Sequence, residues 1–488
     1  MKQLLHLILL LLITLSQASA TEMSLDDIIA EVIHQDDGLK TSRIDTAITT
    51  TDHQVLEGLL DPTVAASLSG SREKAPVSSI FQATETNTAQ LKASITQPLA
   101  NGDTLSANFN YNRSSQKFPS ALAAGFTNFN PAYREQLNLS YRHPLLRGNN
   151  RPNYHKAITA NDAAIAVTEI QQQVLAHALS LQSINYFYQL ASDEINTHIA
   201  AQAVVRAKRL LRYQRKREQF GLIEQADRLQ AEALLAARQS DLQQAAGRRA
   251  SDLSLLNRSM HREPDAAIIL KIISSPLPLT RSFKKLIATA FSQRPELKLL
   301  QAQLTAADAQ LEIAREGNQS QIDITAQLGT RALNTAPASA AFQGISPRDH
   351  FIALALEYSD QLGRHSSIAS IRKAELARQR ILTDQLRNRE QISDQVAAAS
   401  TALTSGRPIL HLAREQAAAE TRKFNAEMRR YQEGRSDTAT IVQFEGELRN
   451  AALRAELQQL SLQWSAKQLA WAQGEITPTF IKQHSAGR

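Results

Sequence analysis

The stretch GRHSSIASIRKAELARQRILTDQLRNREQISDQVAAASTALTSGRPILHLAREQAAAETRKFNAEMRRYQEG, from Gly363 to Gly434, has the composition of one very long helix. At about 1.5 Å of rise per residue it would extend roughly 100 Å, far more than a helix of an ordinary globular domain. It ends at YQEGRSD, residues 431–437, whose glycine and small polar residues are typical of a tight reversal. A second amphipathic run, residues 438–473, follows it, so we predict a helical hairpin.

The long run is interrupted once, at Gly406-Arg407-Pro408. Proline lacks a backbone donor and its ring clashes with the preceding helical turn. We therefore expect a kink or a break at Pro408.

The first half of the chain contains a similar hairpin. A helical run extends from Gly148 to Gly221, and its return arm covers residues 223–257. Gly148 and Gly363 lie 215 positions apart (363 − 148), while Gly221 and Gly434 lie 213 apart (434 − 221). This nearly constant offset indicates an internal duplication.

Between the helical runs, the hydrophobic pattern changes from a period of about 3.6 to a period of two. Four alternating runs occur within residues 63–144 and two within residues 322–358, with the turn signal Asn101-Gly102-Asp103 between the second and third. Each run has one apolar and one polar face. The pattern predicts antiparallel strands of a transmembrane β-barrel, and the alternative is a soluble sheet with one face on a core.

Two shorter helical regions precede the strands. Residues 24–60 form the first, with Ser24 as its capping residue, and residues 283–316 form the second. Pro295 lies within the second region, so we expect two helical segments that meet near Gln293. Three prolines occur within residues 259–280, which we predict to be an irregular linker.

The N-terminus has the features of a secretory signal. Lys2, an apolar run and the small residues of Ala18-Ser19-Ala20 predict a signal peptide over residues 1–20, with an uncleaved anchor as the alternative. No later segment is apolar over the length of a transmembrane helix, so a membrane span would have to be a β-barrel. The chain has no cysteine, which excludes disulfides, and its net charge of +7 comes from interspersed acids and bases.

These patterns divide the chain into a signal peptide and two structural repeats. The first repeat covers residues 21–258, with strands at about 63–144 and a hairpin tip near 220–224. After the linker at 259–280, the second repeat covers residues 281–474, with strands at about 322–358 and a tip near 431–437. Residues 475–488 form a C-terminal tail. The predicted fold class is mainly α with β: duplicated coiled-coil hairpins plus antiparallel barrel strands.

Several motifs of this chain resemble those of the outer membrane efflux proteins, the TolC-like channels of Gram-negative bacteria. Gln97-Pro98-Leu99 and the segment His143-Pro144-Leu145-Leu146-Arg147-Gly148 are similar to the strand-to-helix signature of that family. Arg294-Pro295-Glu296-Leu297 is similar to its second-repeat helix motif. The order and spacing of these pieces extend the resemblance over essentially the whole mature chain.

The resemblance implies a homotrimer in the outer membrane, with a long periplasmic extension. Each subunit would contribute strands to one barrel, in contact with outer-membrane lipid, and helices to a periplasmic tunnel. The hairpin tips would contact a periplasmic adaptor (membrane fusion) protein and an inner-membrane transporter. The implied tip contacts are Phe220, Gly221, Leu222, Gly434 and Arg435, and the implied candidate latch residues at the entrance are Asp227, Tyr431 and Asp437.

The sequence departs from the family pattern in two places. The hairpin around Asn101-Gly102-Asp103 adds two strands, which implies a wider barrel or a pair folded outside it. In the best-known member, acidic residues and an arginine after the second tip surround and close the entrance. Thr440, Gln443 and Ser436 occupy the corresponding positions here, so an acidic ring is not expected.

Seven bases occur within twelve residues just before the first tip: Arg206, Lys208, Arg209, Arg212, Arg215, Lys216 and Arg217. Their spacing predicts that they surround the helix rather than follow one face. They are either a solvated collar or a surface for an acidic adaptor. Nucleic acid is not an expected partner.

The sequence contains no metal-ligand cluster, phosphate-binding loop or nucleophile elbow. We therefore predict neither an enzyme nor a cofactor. The predicted function is an exit duct of a tripartite efflux or type I secretion system, which conducts substrates passively from periplasm to exterior. The alternative is a secreted coiled-coil structural or adaptor protein with a small soluble sheet.

Overall fold

The computed structural model describes residues 21–120, 124, 125, 129–150, 152–272, 282–336 and 349–476. The predicted signal peptide and most of the predicted tail lie outside these ranges. The chain divides into two compact units. One comprises Met1–Ile44, Glu169–Leu300 and Asp384–Arg488, and the other comprises Asp45–Thr168 and Gln301–Thr383.

The described helices form two matching sets. The first set is α1 (Leu25–Gln35), α2 (Asp37–Glu57), α3 (Pro152–Gln219) and α4 (Gln225–Ser259), with a short 3₁₀ turn at Gly58–Leu60. The second set is α5 (Phe283–Gln293), α6 (Pro295–Glu316), α7 (His365–Gln432) and α8 (Thr438–Ala472). Helices α3 and α7 each contain 68 residues, and α4 and α8 each contain 35. This correspondence confirms the predicted duplication of the helical hairpins.

Six strands form one antiparallel sheet in the order β2-β3-β4-β5-β7-β8. They are β2 (Thr63–Lys74), β3 (Glu85–Pro98), β4 (Thr104–Lys117), β5 (Ala132–Pro144), β7 (Gln321–Asn334) and β8 (His350–Ser359). The prediction of four strands in the first half and two in the second is confirmed. The pair around Asn101-Gly102-Asp103 belongs to the same sheet as the other four strands.

The register of this sheet places apolar and polar side chains on opposite faces. One row crosses all six strands on the apolar face: Val64, Ile95, Ala107, Leu139, Leu328 and Ile352. The neighbouring row on the polar face consists of Thr63, Thr96, Ser106, Ser140, Gln327 and Ala353. All the bulky apolar residues of the first row are exposed, so this face is not buried within the chain.

A second sheet corrects the predicted linker at 259–280. Strand β1 (Thr21–Ser24) pairs in parallel with β6 (Ile268–Lys271), and Ile268 lies in the hydrophobic core. The linker prediction failed at β6 because its prolines flank this strand, where they remove no ladder hydrogen bond. Residues 273–281 lie outside the described part of the chain.

The helical regions before the strands each contain one break. The break at Arg294 was predicted from Pro295, and α5 and α6 meet there. The break at Asp36, between α1 and α2, was not predicted, although its backbone angles of −60° and 123° nearly equal those of Arg294. Asp36 caps α2, since its Oδ1 accepts a 2.8 Å hydrogen bond from the Leu39 backbone. Ser24 caps α1 as predicted.

Arg294 connects this break to the core of its unit. Its guanidinium donates a 2.8 Å bond to Glu296 and lies 4.6 Å from the centre of the Trp471 ring. The His177 ring stacks on Trp471 at 4.6 Å, and its Nδ1 lies 3.4 Å from Glu296. The Arg-Pro-Glu-Leu motif therefore has a structural role, because it fixes a buried cation–π and ion-pair cluster.

The Glu296 carboxyl makes this cluster sensitive to acid. Burial opposes its ionisation, but hydrogen bonds from His177 and Arg294 outweigh burial and lower its pKa from 4.5 to about 2. Because the folded-state pKa is the lower one, the stabilisation is present above pH 4.5 and is lost as the pH falls through about 2. We expect Glu296→Gln to be less stable at neutral pH and to lose less stability between these pH values. Urea unfolding followed by tryptophan fluorescence measures this, and equal pH slopes for both proteins would contradict it.

Helix α7 continues through Pro408, so a break at this residue is ruled out. An added Cβ at Gly406 would lie 2.8 Å from Cδ2 of Leu462, so the glycine permits close packing of α7 on α8. Leu403 and Leu462 belong to the hydrophobic core of this unit. This packing outweighs the cost of about 3 kcal/mol that proline imposes on an isolated helix.

None of the helices in the described ranges combines the length and the apolar character needed to cross a membrane.

Candidate functional site at the hairpin tips

The first hairpin reverses at Gly221. This residue has a φ of +65°, which side chains other than glycine rarely tolerate. The Leu222 N–H donates to the Arg217 carbonyl at 2.9 Å and the Gly221 N–H to the Glu218 carbonyl at 2.9 Å. These two bonds form a Schellman cap at the end of α3. Phe220 and Leu222 flank the glycine with 77% and 63% of their surfaces exposed.

The second hairpin reverses in the same way at Gly434, whose φ is +71°. The Arg435 N–H donates to the Arg430 carbonyl at 2.8 Å, while the exposed Arg435 side chain pairs with Glu433. Asp437 then caps α8, since its Oδ1 accepts a 2.7 Å bond from the Thr440 backbone. This backbone bond and the Thr440 hydroxyl lower the pKa of Asp437.

Thr438 joins the two hairpins beneath these reversals. Its hydroxyl donates a 2.6 Å hydrogen bond to Asp227 Oδ1 and accepts one of 2.6 Å from Gln214 Nε2. The Tyr431 hydroxyl lies 3.0 Å from the same oxygen. Since the Thr438 proton is directed to Asp227, Tyr431 is the donor in this third contact. One hydroxyl therefore connects side chains of α3, α4 and α7 to the start of α8.

The Tyr431 side chain is only 1% exposed. Its ring lies 5.7 Å from that of Tyr213 and 5.9 Å from the guanidinium carbon of Arg217. Burial raises the pKa of Tyr431, which keeps its hydroxyl protonated as a donor at neutral pH. Leu210, Leu211, Leu234, Phe424 and Ile441 form the hydrophobic cluster around it.

The predicted latch residues thus separate into two groups. Tyr431 and Asp227 lie close together, but Thr438 bridges them within one chain. Asp437 instead caps its own helix. The sequence prediction omitted Thr438 and Gln214, and the only signal for Thr438 was its position directly after a capping aspartate. Whether Tyr431 and Asp227 close an entrance stays a prediction.

A buried ion cluster lies further along the same helices and was also missed from the sequence. The Glu445 side chain accepts bonds from Arg206 at 3.0 Å and from Arg238 at 2.8 Å, and the residue is 2% exposed. Asp241 pairs with both Arg238 and Arg449. Since its members come from α3, α4 and α8, the cluster holds the two hairpins together by charge.

The bases before the first tip do not surround the helix as predicted. Arg206 binds Glu445 and Arg217 lies beside Tyr431, so both are half-buried. The other five lie on the exposed face of α3: Lys208, Arg209, Arg212, Arg215 and Lys216. The prediction failed because it did not identify the buried face of the helix.

Within the described ranges, no group of three or more histidine or acidic side chains could hold a metal ion. The tips therefore offer surfaces for contact with other molecules.

No protein-family model matches the sequence. Protein CyaE of Bordetella pertussis is 28% identical over 234 residues, which cover 46% of this chain and 47% of CyaE. The match therefore spans about half the length of that curated relative.

Solved structures match nearly the whole chain. The Campylobacter jejuni CmeC outer membrane channel has a TM-score of 0.65 at 15% identity, over 94% of this chain and 89% of CmeC. The outer membrane protein VceC of Vibrio cholerae has a TM-score of 0.64 at 15% identity, over 92% of this chain and 96% of VceC. This chain has the TolC-like fold of outer-membrane channels. The resemblance inferred from its motifs is confirmed at the level of the fold, and the outer membrane, predicted for this chain, is where CmeC and VceC occur.

In this TolC-like fold, the quoted strand-to-helix motifs lie at the ends of strands. Gln97 donates a 2.6 Å bond to the Leu60 carbonyl, at the end of the 3₁₀ turn. The Leu145 N–H donates to the Ile322 carbonyl at 2.7 Å, and the Gly148 N–H donates to Glu316 Oε1 at 3.0 Å. The motifs therefore attach strands of the sheet to the helices that precede and follow it.

Proposed function

We propose that this chain is the outer-membrane exit duct of a tripartite efflux or type I secretion system. It conducts substrates passively from periplasm to exterior and performs no chemistry on them. It acts as a homotrimer, with its sheet in the outer membrane and its hairpin tips in the periplasm. A periplasmic adaptor and an inner-membrane transporter supply the selection and the energy.

The exposed apolar face of the six-stranded sheet carries this proposal. Val64, Leu139, Leu328 and Ile352 lie in one row on that face, and each is at least 46% exposed. A soluble protein would bury such a row, whereas a lipid bilayer solvates it. The opposite row is polar, as the water-facing side of a barrel wall requires.

The two edges of this sheet support a shared barrel. In the described part of the chain, β2 and β8 each pair on one side only, and every residue of β2 is exposed. Unpaired backbone groups cannot remain in lipid, so the edges of one copy must pair with those of the next. Since all six strands belong to one continuous sheet, we favour the wider barrel over a strand pair folded outside it.

The tips are the surfaces for the partners. Phe220, Leu222 and Arg435 are exposed at reversals whose backbone is fixed by Gly221 and Gly434. Exposed apolar side chains on a capped helix end are suited to docking against another helical protein.

The function is tested with the full-length protein purified in detergent. We expect a trimer that resists sodium dodecyl sulfate until it is heated, and discrete conductance steps in planar lipid bilayers. Leu139→Arg places a charge at the apolar row and should lower assembly strongly, at a cost of about 2–4 kcal/mol near the bilayer midplane. Ser140→Arg, on the polar face, is the control and should assemble.

A monodisperse protein that stays soluble without detergent and forms no conductance steps would contradict the proposal. It would favour the alternative of a secreted coiled-coil structural protein.

A further inference from the structure

Four bases form a stripe along α3 just before the first tip: Lys208, Arg209, Arg212 and Lys216, called the basic stripe below. All four are exposed. They extend over about 12 Å of helix at 1.5 Å per residue. Within the described residues, none of the four has an ion-pair partner. The opposite face of this part of α3 is buried and apolar at Ala207, Leu210 and Leu211.

The acids close to the stripe already have partners. Glu218 pairs with Arg228 at 2.9 Å. Glu232 pairs with Arg228 at 2.8 Å and with Arg215 at 3.2 Å. The stripe is therefore an excess of positive charge that its own hairpin does not neutralise.

The second hairpin provides an internal comparison. Because α3 and α7 have the same length, Arg422 and Arg429 occupy the positions of Arg209 and Lys216. The positions of Lys208 and Arg212 are occupied by Thr421 and Asn425, which are uncharged.

Acids on the second hairpin balance its other bases. Lys423 pairs with Glu420 and Glu447, and Arg430 pairs with Glu427. The fold of the hairpin thus needs no base at the positions of Lys208 and Arg212.

We propose that the basic stripe binds an acidic helical coil of the periplasmic partner protein, and that this contact is specific to the first hairpin. The inference rests on the proposed function, which places the tips where a partner reaches them. A helix lying along the stripe meets a base at each turn, so acids spaced three, four or seven residues apart on the partner match it. Phe220, 77% exposed beyond the end of the stripe, supplies an apolar contact next to the charged one.

The probe is a synthetic two-helix hairpin with glutamates three, four and seven residues apart along one exposed face. A second hairpin with glutamine at those positions is its control. Binding to the detergent-solubilised, full-length protein is followed by fluorescence anisotropy. We expect the glutamate probe to bind more tightly and to weaken as salt rises, because exposed charge contacts are screened.

The variant pair K208T/R212N gives the first hairpin the residues of the second. We expect it to weaken binding of the glutamate probe about 3- to 10-fold, since exposed ion pairs contribute little individually. The control R422Q/R429Q also removes two exposed arginine charges, but from the second hairpin, and should leave binding within about 2-fold.

Three results would overturn the inference: equal binding of both probes, equal effects of both variants, or dissociation of the assembled protein by K208T/R212N. The last result would assign the stripe to contact with a second copy of this chain. Bilayer conductance of the same preparation separates the two proposals. Conductance without probe selectivity rejects the stripe contact alone, whereas absence of conductance rejects the channel.

Discussion

A Glu445→Ala variant is expected to loosen the packing of the two hairpins by about 3 kcal/mol. The residue is 2% exposed and lies between Arg206 and Arg238, so its removal leaves two partly buried guanidinium groups without their acid. We place the effect at the lower end of the range for broken buried pairs because both arginines keep some solvent contact. Hydrogen exchange of the backbone amides around Ile441 in α8 measures the loss directly.

Glu447→Ala is the matched control on the same helix. Glu447 pairs with Lys423 at the surface, and its loss should change exchange little because exposed pairs contribute little. The combined change of Glu445, Arg206 and Arg238 to methionine should recover most of the stability lost in Glu445→Ala, because it leaves no unpaired buried charge. If Glu445→Ala exchanges like the unmodified protein, the cluster does not hold the hairpins together.

The long helices and the strands were predictable because each has a strong local signal. The helical runs keep their apolar period over dozens of residues, and Pro295 marks the break at Arg294. The alternating runs and the Asn101-Gly102-Asp103 turn likewise predict β3 and β4. The duplication added independent support, since both halves repeat the same order of elements.

Other features depend on contacts between distant parts of the chain. Thr21 pairs with Ile268, and neither four-residue strand, β1 or β6, is long enough to show a period. The continuity of α7 through Pro408 depends on its packing against Leu462, which local proline rules do not include. Tertiary contact thus outweighs the local preference at both places.

The tip glycines were predictable from turn chemistry, whereas the polar contacts beneath them were not. Gly221 and Gly434 have positive φ angles, as a tight reversal after a long helix requires. Thr438 and Glu445, in contrast, occur in an amphipathic run where a polar residue is ordinary. Their importance arises from partners on three other helices, which a single sequence does not bring together.

A Thr438→Val variant is expected to open the tips and to raise the single-channel conductance. Valine keeps the shape of threonine, but its lack of a hydroxyl leaves Tyr431, Gln214 and Asp227 without this shared partner. Tyr431 and Gln214 are almost fully buried, and each unsatisfied buried group costs about 1–3 kcal/mol. Separation of the hairpins, which hydrates these groups, becomes correspondingly more favourable.

Single-channel recording in planar bilayers measures the effect, with Thr440→Val as the control. Thr440 keeps its backbone bond to Asp437 after this change, so the cap of α8 persists and the conductance should not change. Tyr431→Phe and Asp227→Ala each remove one contact of Thr438 and should raise the conductance less than Thr438→Val, which removes all three. Since the cluster lies within one chain, the increase reflects separation of the two hairpins of each subunit. Conductance that is unchanged in Tyr431→Phe, Asp227→Ala and Thr438→Val alike would show that the cluster stabilises the tips without closing the channel.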